Sequence, residues 1–181
     1  MSDHFEARFA AVGGQGILMA GDIIAEAAIN YENKYAVDSP TYTAQVRGGP
    51  TKVDVIIDTK RIEFTRTTAI DFMLCLAQRS WERFGFDLKD NCILLIDPSL
   101  VNKVPDDKYR VYRLPIIELT KSELKKMVYT SAVSLGAMAY LTDVLKPESI
   151  EKALIDKAPR GTEEPNKKAF SVGYEAAKSL F

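Results

Sequence analysis

A glycine-rich turn between an apolar segment and an amphipathic segment limits most strongly what this chain can form. The apolar residues 5–12 stop at Gly13-Gly14-Gln15-Gly16, and from Ile17 onward apolar residues recur with helical spacing over about four turns. Glycines in the turn permit backbone angles that a Cβ atom forbids, and the first amides of the helix have no intrahelical acceptor. A strand, a glycine turn and a helix in this order indicate the start of an α/β domain.

The remaining segments predict a sheet with helices on both faces. Strand patterns occur at residues 35–38, 52–58, 72–76, 92–97 and 109–114, and residues 61–64 are expected to return beside 52–58 as a hairpin. Helices are predicted over residues 78–86, 120–144, 147–158 and 167–181. Because the hairpin adds antiparallel pairing, we predict a single three-layer α/β/α domain over residues 1–181. Its sheet is mixed and mostly parallel, and its C-terminal part is rich in helix.

Local patterns add detail to these elements. Val53, Val55 and Ile57 are expected on one face of their strand. Thr120 and Glu123 have the spacing of a capping box, and Pro147 suits the first turn of a helix. The helix predicted over residues 120–144 carries small residues that permit close packing against a neighbour, namely Ser131, Ser134, Gly136 and Ala137.

Composition excludes several classes of protein. The net charge is −1, so no basic surface for nucleic acid is expected. The apolar stretch at residues 127–141 is shorter than the roughly 20 residues of a membrane-spanning helix, and the polar N-terminus predicts no signal peptide. Cys75 and Cys92 are too far apart for a CxxC metal motif. We therefore expect a cytoplasmic protein whose own residues bind no metal.

The first glycine loop allows two interpretations. The helix N-terminus favours an anion or a carbonyl-rich partner, whereas the loop could equally be a tight turn for packing. A dinucleotide fingerprint, GxGxxG, is not present. The motif requires glycine at positions i, i+2 and i+5. When Gly14 is taken as i, position i+2 is Gly16 but position i+5 is Met19; when Gly13 is taken as i, position i+2 is Gln15.

A second glycine loop lies in the polar residues 41–50, where Arg47 precedes Gly48 and Gly49. A guanidinium group beside flexible backbone can hold a carboxylate or a phosphate through two hydrogen bonds. The alternative is an exposed loop arginine with no partner.

Taken together, these motifs resemble the gamma subunit of 2-oxoacid:ferredoxin oxidoreductases. The resemblance rests on the Gly13–Gly16 loop, on the Arg47-Gly48-Gly49 loop, and on segments at residues 134–137 and 166–174. It covers nearly the whole chain. The sequence departs from the family at residues 10–12, where the family often has a further glycine, and near Ser131, where it commonly has asparagine.

The resemblance implies an enzyme that oxidatively decarboxylates a 2-oxoacid to an acyl-CoA and passes electrons to ferredoxin or another acceptor. Thiamine diphosphate, magnesium, an iron–sulfur cluster and coenzyme A are expected in the complex. Residues 42–55 favour 2-oxoglutarate as the substrate. The implied contacts to coenzyme A or a partner subunit are Gly13, Gly14, Gln15, Gly16, Arg47, Gly48 and Gly49.

The chain itself lacks the elements of a complete active site. Gly21-Asp22 is followed by Ile23 rather than by the glycine of a thiamine diphosphate motif, two cysteines cannot hold a four-cysteine cluster, and His4 is the one histidine. We therefore expect no catalytic residue and no cofactor bound by this chain alone. The expected partners are alpha and beta (thiamine-binding) subunits and a ferredoxin-like subunit. The alternatives are a stand-alone nucleotide- or phosphate-binding α/β module and a scaffold domain.

Overall fold

Strands and helices alternate in the first half of the chain, and helices dominate the second half. A computed structural model describes residues 3–13, 16–41 and 48–181. The strands are β1 (His4–Val12), β2 (Tyr35–Thr41), β3 (Pro50–Asp58), β4 (Ile70–Cys75), β5 (Leu88–Ile96) and β6 (Arg110–Arg113). The α-helices are α1 (Ile17–Glu32), α2 (Gln78–Phe84), α3 (Ile116–Leu119), α4 (Thr130–Leu141), α5 (Pro147–Lys157) and α6 (Glu163–Lys178).

The strands form one mixed sheet in the order β2-β3-β1-β4-β5-β6. Strands β1, β4, β5 and β6 run parallel to their neighbours in this series, whereas β3 is antiparallel to both β1 and β2. The predicted mixed sheet is confirmed, but the predicted hairpin of residues 61–64 is wrong. Both edges of β3 are already paired with β1 and β2, so residues 61–64 have no edge to join and form an exposed segment without strand structure.

The larger core lies between the sheet and the helices α1, α4, α5 and α6. Val53, Val55 and Ile57 all point into it, as the alternation in β3 predicts. On the opposite face, Phe84 of α2 and Val101 cover a smaller core that includes Met73 and Leu94. The three-layer architecture is therefore confirmed, with one thick helical layer and one thin one.

The helix predicted over residues 120–144 is wrong in its first part. Residues 120–124 form a π-helical turn that continues directly from α3, and the buried Thr120 donates its hydroxyl hydrogen to the carbonyl of Ile116. Thr120 therefore does not cap a helix start. Lys125 then adopts a left-handed conformation with φ of 59°, which ends this turn, and α4 begins only at Thr130.

Two glycines allow α4 and α6 to pack with their backbones in contact. A Cβ atom on Gly136 would lie 1.9 Å from the carbonyl oxygen of Phe170, and one on Gly173 would lie 1.8 Å from that of Val133. The close packing expected from the small residues of this region is confirmed. The contact fixes α4 against the rest of the helical layer.

Replacing Gly173 with alanine should destabilise the fold although alanine is the better helix former. Helix propensity alone favours alanine by about 1 kcal/mol. The added methyl group must push α4 and α6 apart, and overpacking of this kind costs about 1–3 kcal/mol or more. We expect Gly173→Ala to lower the free energy of unfolding by at least about 1 kcal/mol in urea denaturation. The control is Ser171→Ala, at an exposed position of the same helix. Unchanged stability of Gly173→Ala would contradict the packing.

Candidate functional site

The pairing of β1 with β3 brings the two glycine loops together. The antiparallel register runs from His4 opposite Asp58 to Val12 opposite Pro50, so the end of β1 and the start of β3 lie at the same edge of the sheet. Gly13 follows β1 and Gly49 precedes β3. The amide of Gly13 donates a hydrogen bond to the carbonyl of Gly49 at 3.3 Å.

The N-terminus of α1 lies at this same edge. Gly16 is the N-cap of α1, with φ of 69°. Residues other than glycine adopt this left-handed backbone conformation only at a cost in free energy. The carbonyl of Gly16 accepts the first helical hydrogen bond, from Ala20. Within the residues that the structure describes, α1 has no side-chain cap at its N-terminus. This end of α1 therefore presents donors and the positive end of the helix dipole.

The start of α4 packs directly against Gly16. The Oγ atom of Ser131 would lie 3.3 Å from a Cβ atom placed on Gly16. The Ser131 residue is only 5% exposed, and within residues 3–13, 16–41 and 48–181 its hydroxyl has no hydrogen-bond partner. The sequence predicts only a packing role for Ser131. It does not indicate the contact with Gly16, because the two residues are more than 100 positions apart in the chain.

Two arginines of α2 lie beside Pro50, where β3 begins. Arg79 and Arg83 line a shallow depression of about 390 Å³ with Pro50 and Glu82. Neither arginine forms an ion pair with any residue that the structure describes. Sequence reasoning did not identify them, because α2 and β3 meet only in the folded chain. Of the predicted contact residues, Gly13, Gly16, Gly48 and Gly49 lie at this edge, while Gly14, Gln15 and Arg47 are outside the described residues. We call this edge the glycine-loop end, meaning Gly13, Gly16, Gly48, Gly49, Ser131, Arg79 and Arg83.

A buried ion pair holds β1 and β3 in register. Arg8 and Asp54 lie directly opposite each other, and the guanidinium group donates to both carboxylate oxygens at 2.8 and 3.0 Å. Arg8 also donates to the carbonyls of Phe84 and Phe86, so it ties the end of α2 to the sheet. The hydroxyl of Thr67 donates to Asp54 at 2.7 Å.

The environment of Asp54 keeps its carboxyl group ionised. Burial alone raises the pKa of Asp54, but hydrogen bonds from Arg8, Lys52 and Thr67 outweigh it and hold the pKa below its ordinary value. A register slip of one residue would place Arg8 and Asp54 on opposite faces of the sheet. The pair therefore specifies the alignment that brings Gly13 to Gly49.

The histidine and the two cysteines lie away from this edge in structural surroundings. His4 contacts Asp58 and Glu6 at the start of β1, far from the glycine-loop end. Burial lowers the pKa of His4, but the hydrogen bonds to both carboxylates outweigh burial, so the pKa is raised overall. Burial raises the pKa of the Cys75 and Cys92 thiols to about 12, so both remain protonated at neutral pH. In the described part of the chain, no group of three or more His, Cys, Asp or Glu side chains could hold a metal ion.

The opposite end of the sheet contains a separate cavity of about 690 Å³. Its floor includes Phe5 and Ile57, and its wall includes Tyr112, Tyr140 and Phe181. We call it the distal cavity. Among the helices that the structure describes, none combines the length and apolar character needed to cross a bilayer.

Comparison with protein families decides where this fold belongs. Residues 6–176 match the family model described as pyruvate ferredoxin/flavodoxin oxidoreductase. The chain belongs to this family. The resemblance to oxidoreductase gamma subunits is thereby confirmed at the level of the family.

Individual members of the pyruvate ferredoxin/flavodoxin oxidoreductase family align along the whole chain. The 2-oxoglutarate synthase subunit KorC of Methanocaldococcus jannaschii is 39% identical, with 97% of this chain and 95% of that protein covered. The common gamma subunit of the pyruvate/ketoisovalerate oxidoreductases of Pyrococcus furiosus is 31% identical, with 94% and 95% covered.

Solved structures of family members share the fold. The gamma subunit of a keto/oxoacid ferredoxin oxidoreductase from Geobacter sulfurreducens superposes with a TM-score of 0.90 at 38% identity, with 98% of both chains covered. A 2-oxoglutarate:ferredoxin oxidoreductase chain from Magnetococcus marinus gives a TM-score of 0.86 at 23% identity. This chain covers only 32% of that longer one, so the likeness there is one of fold.

Breaking the Arg8–Asp54 pair should destabilise the protein strongly. Arg8→Leu leaves the Asp54 carboxylate buried without its main partner, and a broken buried pair costs about 3–5 kcal/mol. We expect a loss of about 3 kcal/mol in urea denaturation at pH 7, because Lys52 and Thr67 still contact Asp54. The double variant Arg8→Leu/Asp54→Leu should regain much of it.

The control for this pair is Arg79→Leu, which removes an exposed arginine without an ion pair to a described residue. It should change the unfolding free energy by less than about 0.5 kcal/mol. Equal stabilities of Arg8→Leu and Arg79→Leu would show that the buried pair does not hold the strands together.

Proposed function

We propose that this chain is the gamma-type subunit of a 2-oxoacid:ferredoxin oxidoreductase and that its glycine-loop end contacts coenzyme A or a partner subunit. The family match over residues 6–176 carries the first part of this proposal. Two family members that align with almost the whole chain are named as subunits of 2-oxoacid oxidoreductases, which supports the same role. We further propose that residues 1–181 act as one gamma-type unit in the cytoplasm.

We propose 2-oxoglutarate as the substrate of the complex. The 39% identical relative is named as a subunit of 2-oxoglutarate synthase, whereas the 31% identical relative belongs to pyruvate and ketoisovalerate enzymes. The complex would decarboxylate 2-oxoglutarate oxidatively, form the acyl-CoA and reduce ferredoxin or another acceptor.

The residues of this chain do not fit the cofactors that drive this chemistry. Asp22, which follows a glycine as in a thiamine diphosphate motif, lies within α1 and bonds to the Lys157 ammonium group. The Cys75 and Cys92 thiols are buried on the sheet, with their pKa raised. We therefore assign thiamine diphosphate, magnesium and the iron–sulfur cluster to the alpha, beta and ferredoxin-like partner subunits.

The glycine-loop end does fit the phosphates of coenzyme A or an acidic surface of a partner. Among the described residues, the first amides of α1 have no side-chain cap and Arg79 and Arg83 have no ion-pair partner, so these groups can supply hydrogen-bond donors and positive charge. Gly13 and Gly49 let another molecule approach the backbone closely. Binding there would place this chain at the edge of an active site that other subunits build.

Reconstitution with the alpha, beta and ferredoxin-like subunits tests the proposed role. The isolated chain should be colourless and should not reduce a dye with any 2-oxoacid. The complex should reduce ferredoxin or a dye with 2-oxoglutarate and coenzyme A, and kcat/KM should be higher for 2-oxoglutarate than for pyruvate. Omitting this chain should abolish the activity. Full activity of the complex without it, or turnover by the isolated chain, would contradict the subunit role.

Arg47→Ala tests the contact made by the second glycine loop. Arg47 lies next to Gly48 in the sequence, and a charged hydrogen bond lost there should weaken assembly or coenzyme A use about ten- to a hundredfold. The melting temperature of the isolated variant should not change, because the polar sequence of residues 41–50 predicts a surface loop and surface substitutions usually alter stability by less than about 0.5 kcal/mol.

The control is Arg61→Ala, at an exposed arginine in the segment after β3. It should alter neither assembly nor the KM for coenzyme A. If Arg47→Ala behaves in the same way as Arg61→Ala, the second glycine loop makes no functional contact through its arginine.

A further inference from the structure

The distal cavity lies at the opposite end of the sheet from the glycine-loop end, and the proposed function makes no use of it. Its volume of about 690 Å³ falls within the range of small-molecule sites, about 300–1,000 Å³. Three strands and the end of α4 supply its apolar lining, which includes Phe5, Ile57, Ile93 and Leu141. The cavity can therefore hold the apolar body of a ligand.

Three aromatic rings form part of the cavity wall. The ring of Phe181 lies 5.6 Å from that of Tyr112 and 5.8 Å from that of Tyr140, centre to centre. Phe181 is nevertheless 75% exposed, so much of this residue is open to contact with another molecule. Tyr112 already has a cation over its ring, because the guanidinium carbon of Arg110 lies 5.8 Å from the ring centre. Aromatic faces of this kind attract positive charge.

Some of the charged groups at the rim already have partners. The ammonium group of Lys34 pairs with Glu32 at 3.2 Å and donates to the carbonyl of Val144 at 2.6 Å. The carboxylate of Asp71 pairs with Lys89 at 2.6 Å. These charges are compensated within the chain and do not require a ligand.

Two carboxylates at the rim differ from these. The side chains of Asp3 and Asp143 line the cavity and form neither a hydrogen bond nor an ion pair with the residues that the structure describes. Arg110 does not compensate them, since it donates to the hydroxyl of Tyr112 at 2.9 Å. Asp143 follows Tyr140 by three positions, so a carboxylate and an aromatic ring border the cavity together.

We propose that the distal cavity binds a small organic cation with an apolar or aromatic body. The body would contact the apolar floor, and the cationic group would contact the Asp143 carboxylate and the rings of Tyr140 and Phe181. Arg110 repels a cation, so the charged group belongs at Asp143 rather than at Tyr112. An anion would be repelled by the carboxylates of the rim, and a neutral ligand would gain less from them. This site is separate from the glycine-loop end, and the inference goes beyond the proposed function.

Three probes with the same phenyl ring and different charge at neutral pH test the class of ligand: phenethylammonium, 2-phenylethanol and 3-phenylpropanoate. Each is titrated into the full chain, with amide NMR for affinity and location, and into the reconstituted complex, with calorimetry. Phenethylammonium should bind at least about tenfold more tightly than 2-phenylethanol, because it adds an ion pair and a cation–π contact. It should shift the amides of residues 140–144. We expect no saturable binding of 3-phenylpropanoate.

Two variants at exposed positions test the two contacts of the cationic group. Asp143→Asn should weaken phenethylammonium binding about two- to fivefold, the size of an exposed ion pair, and leave 2-phenylethanol binding unchanged. Phe181→Leu should reduce the preference for the cation over the alcohol by a similar factor, because leucine keeps an apolar contact but has no ring face. Both variants should melt close to the wild-type temperature, since both positions lie on the surface.

The matched controls are Asp38→Asn and Phe64→Leu. They remove an exposed carboxylate of β2 and an exposed phenyl group, and neither residue lines the distal cavity. Both should leave the affinity for all three probes unchanged.

Several outcomes would overturn the assignment. They are equal affinities for the three probes, tighter binding of the anion, and equal effects of Asp143→Asn and Asp38→Asn. Binding to the isolated chain that is lost in the complex would show that a partner subunit covers the cavity, and would overturn it as well. The comparison of probes on the wild-type chain decides the question even if a variant does not fold. None of these results affects the subunit role, which the activity of the complex with and without this chain decides separately.

Discussion

The buried pair of Arg8 and Asp54 is the interaction on which the arrangement of this molecule depends. The two residues face each other across β1 and β3, and their hydrogen bonds form only in one register. That register makes β1 end where β3 begins, so two glycine loops that are about thirty residues apart in sequence share one edge. Arg8 also holds the end of α2, the helix that brings Arg79 and Arg83 beside Pro50. A single buried ion pair thus aligns donors from three separate segments.

The thick helical layer completes the same edge from the other side. The close approach of Gly136 to Phe170 and of Gly173 to Val133 fixes α4 against α6, and the start of α4 in turn places Ser131 against Gly16. The two cysteines and the histidine are held in structural surroundings elsewhere on the sheet. This division fits a subunit that supplies a shaped, donor-rich surface and leaves the redox and thiamine chemistry to its partners.

Much of the fold could be predicted from the sequence, because strand alternation and the amphipathic pattern of α1 are local properties. The predicted hairpin of residues 61–64 was wrong because strand pairing depends on which strand edges remain unpaired, and both edges of β3 are paired. The predicted helix start at Thr120 was wrong because the preceding residues Ile116–Leu119 are already helical. Both glycine loops were identified from their composition. Ser131, Arg79 and Arg83 were missed, since their importance comes from neighbours that are distant in the chain.

Amide hydrogen exchange of the chain alone and within the reconstituted complex tests the central claim most directly. If the glycine-loop end is the functional surface, assembly with coenzyme A should slow exchange at Gly13, at Ile17 to Met19 and at Gly48 and Gly49 by about tenfold or more, which corresponds to about 1.4 kcal/mol of added protection. Exchange around Phe5, Tyr112 and Tyr140, which line the distal cavity, should change much less. Protection confined to the distal cavity, with unchanged exchange at both glycine loops, would contradict the account.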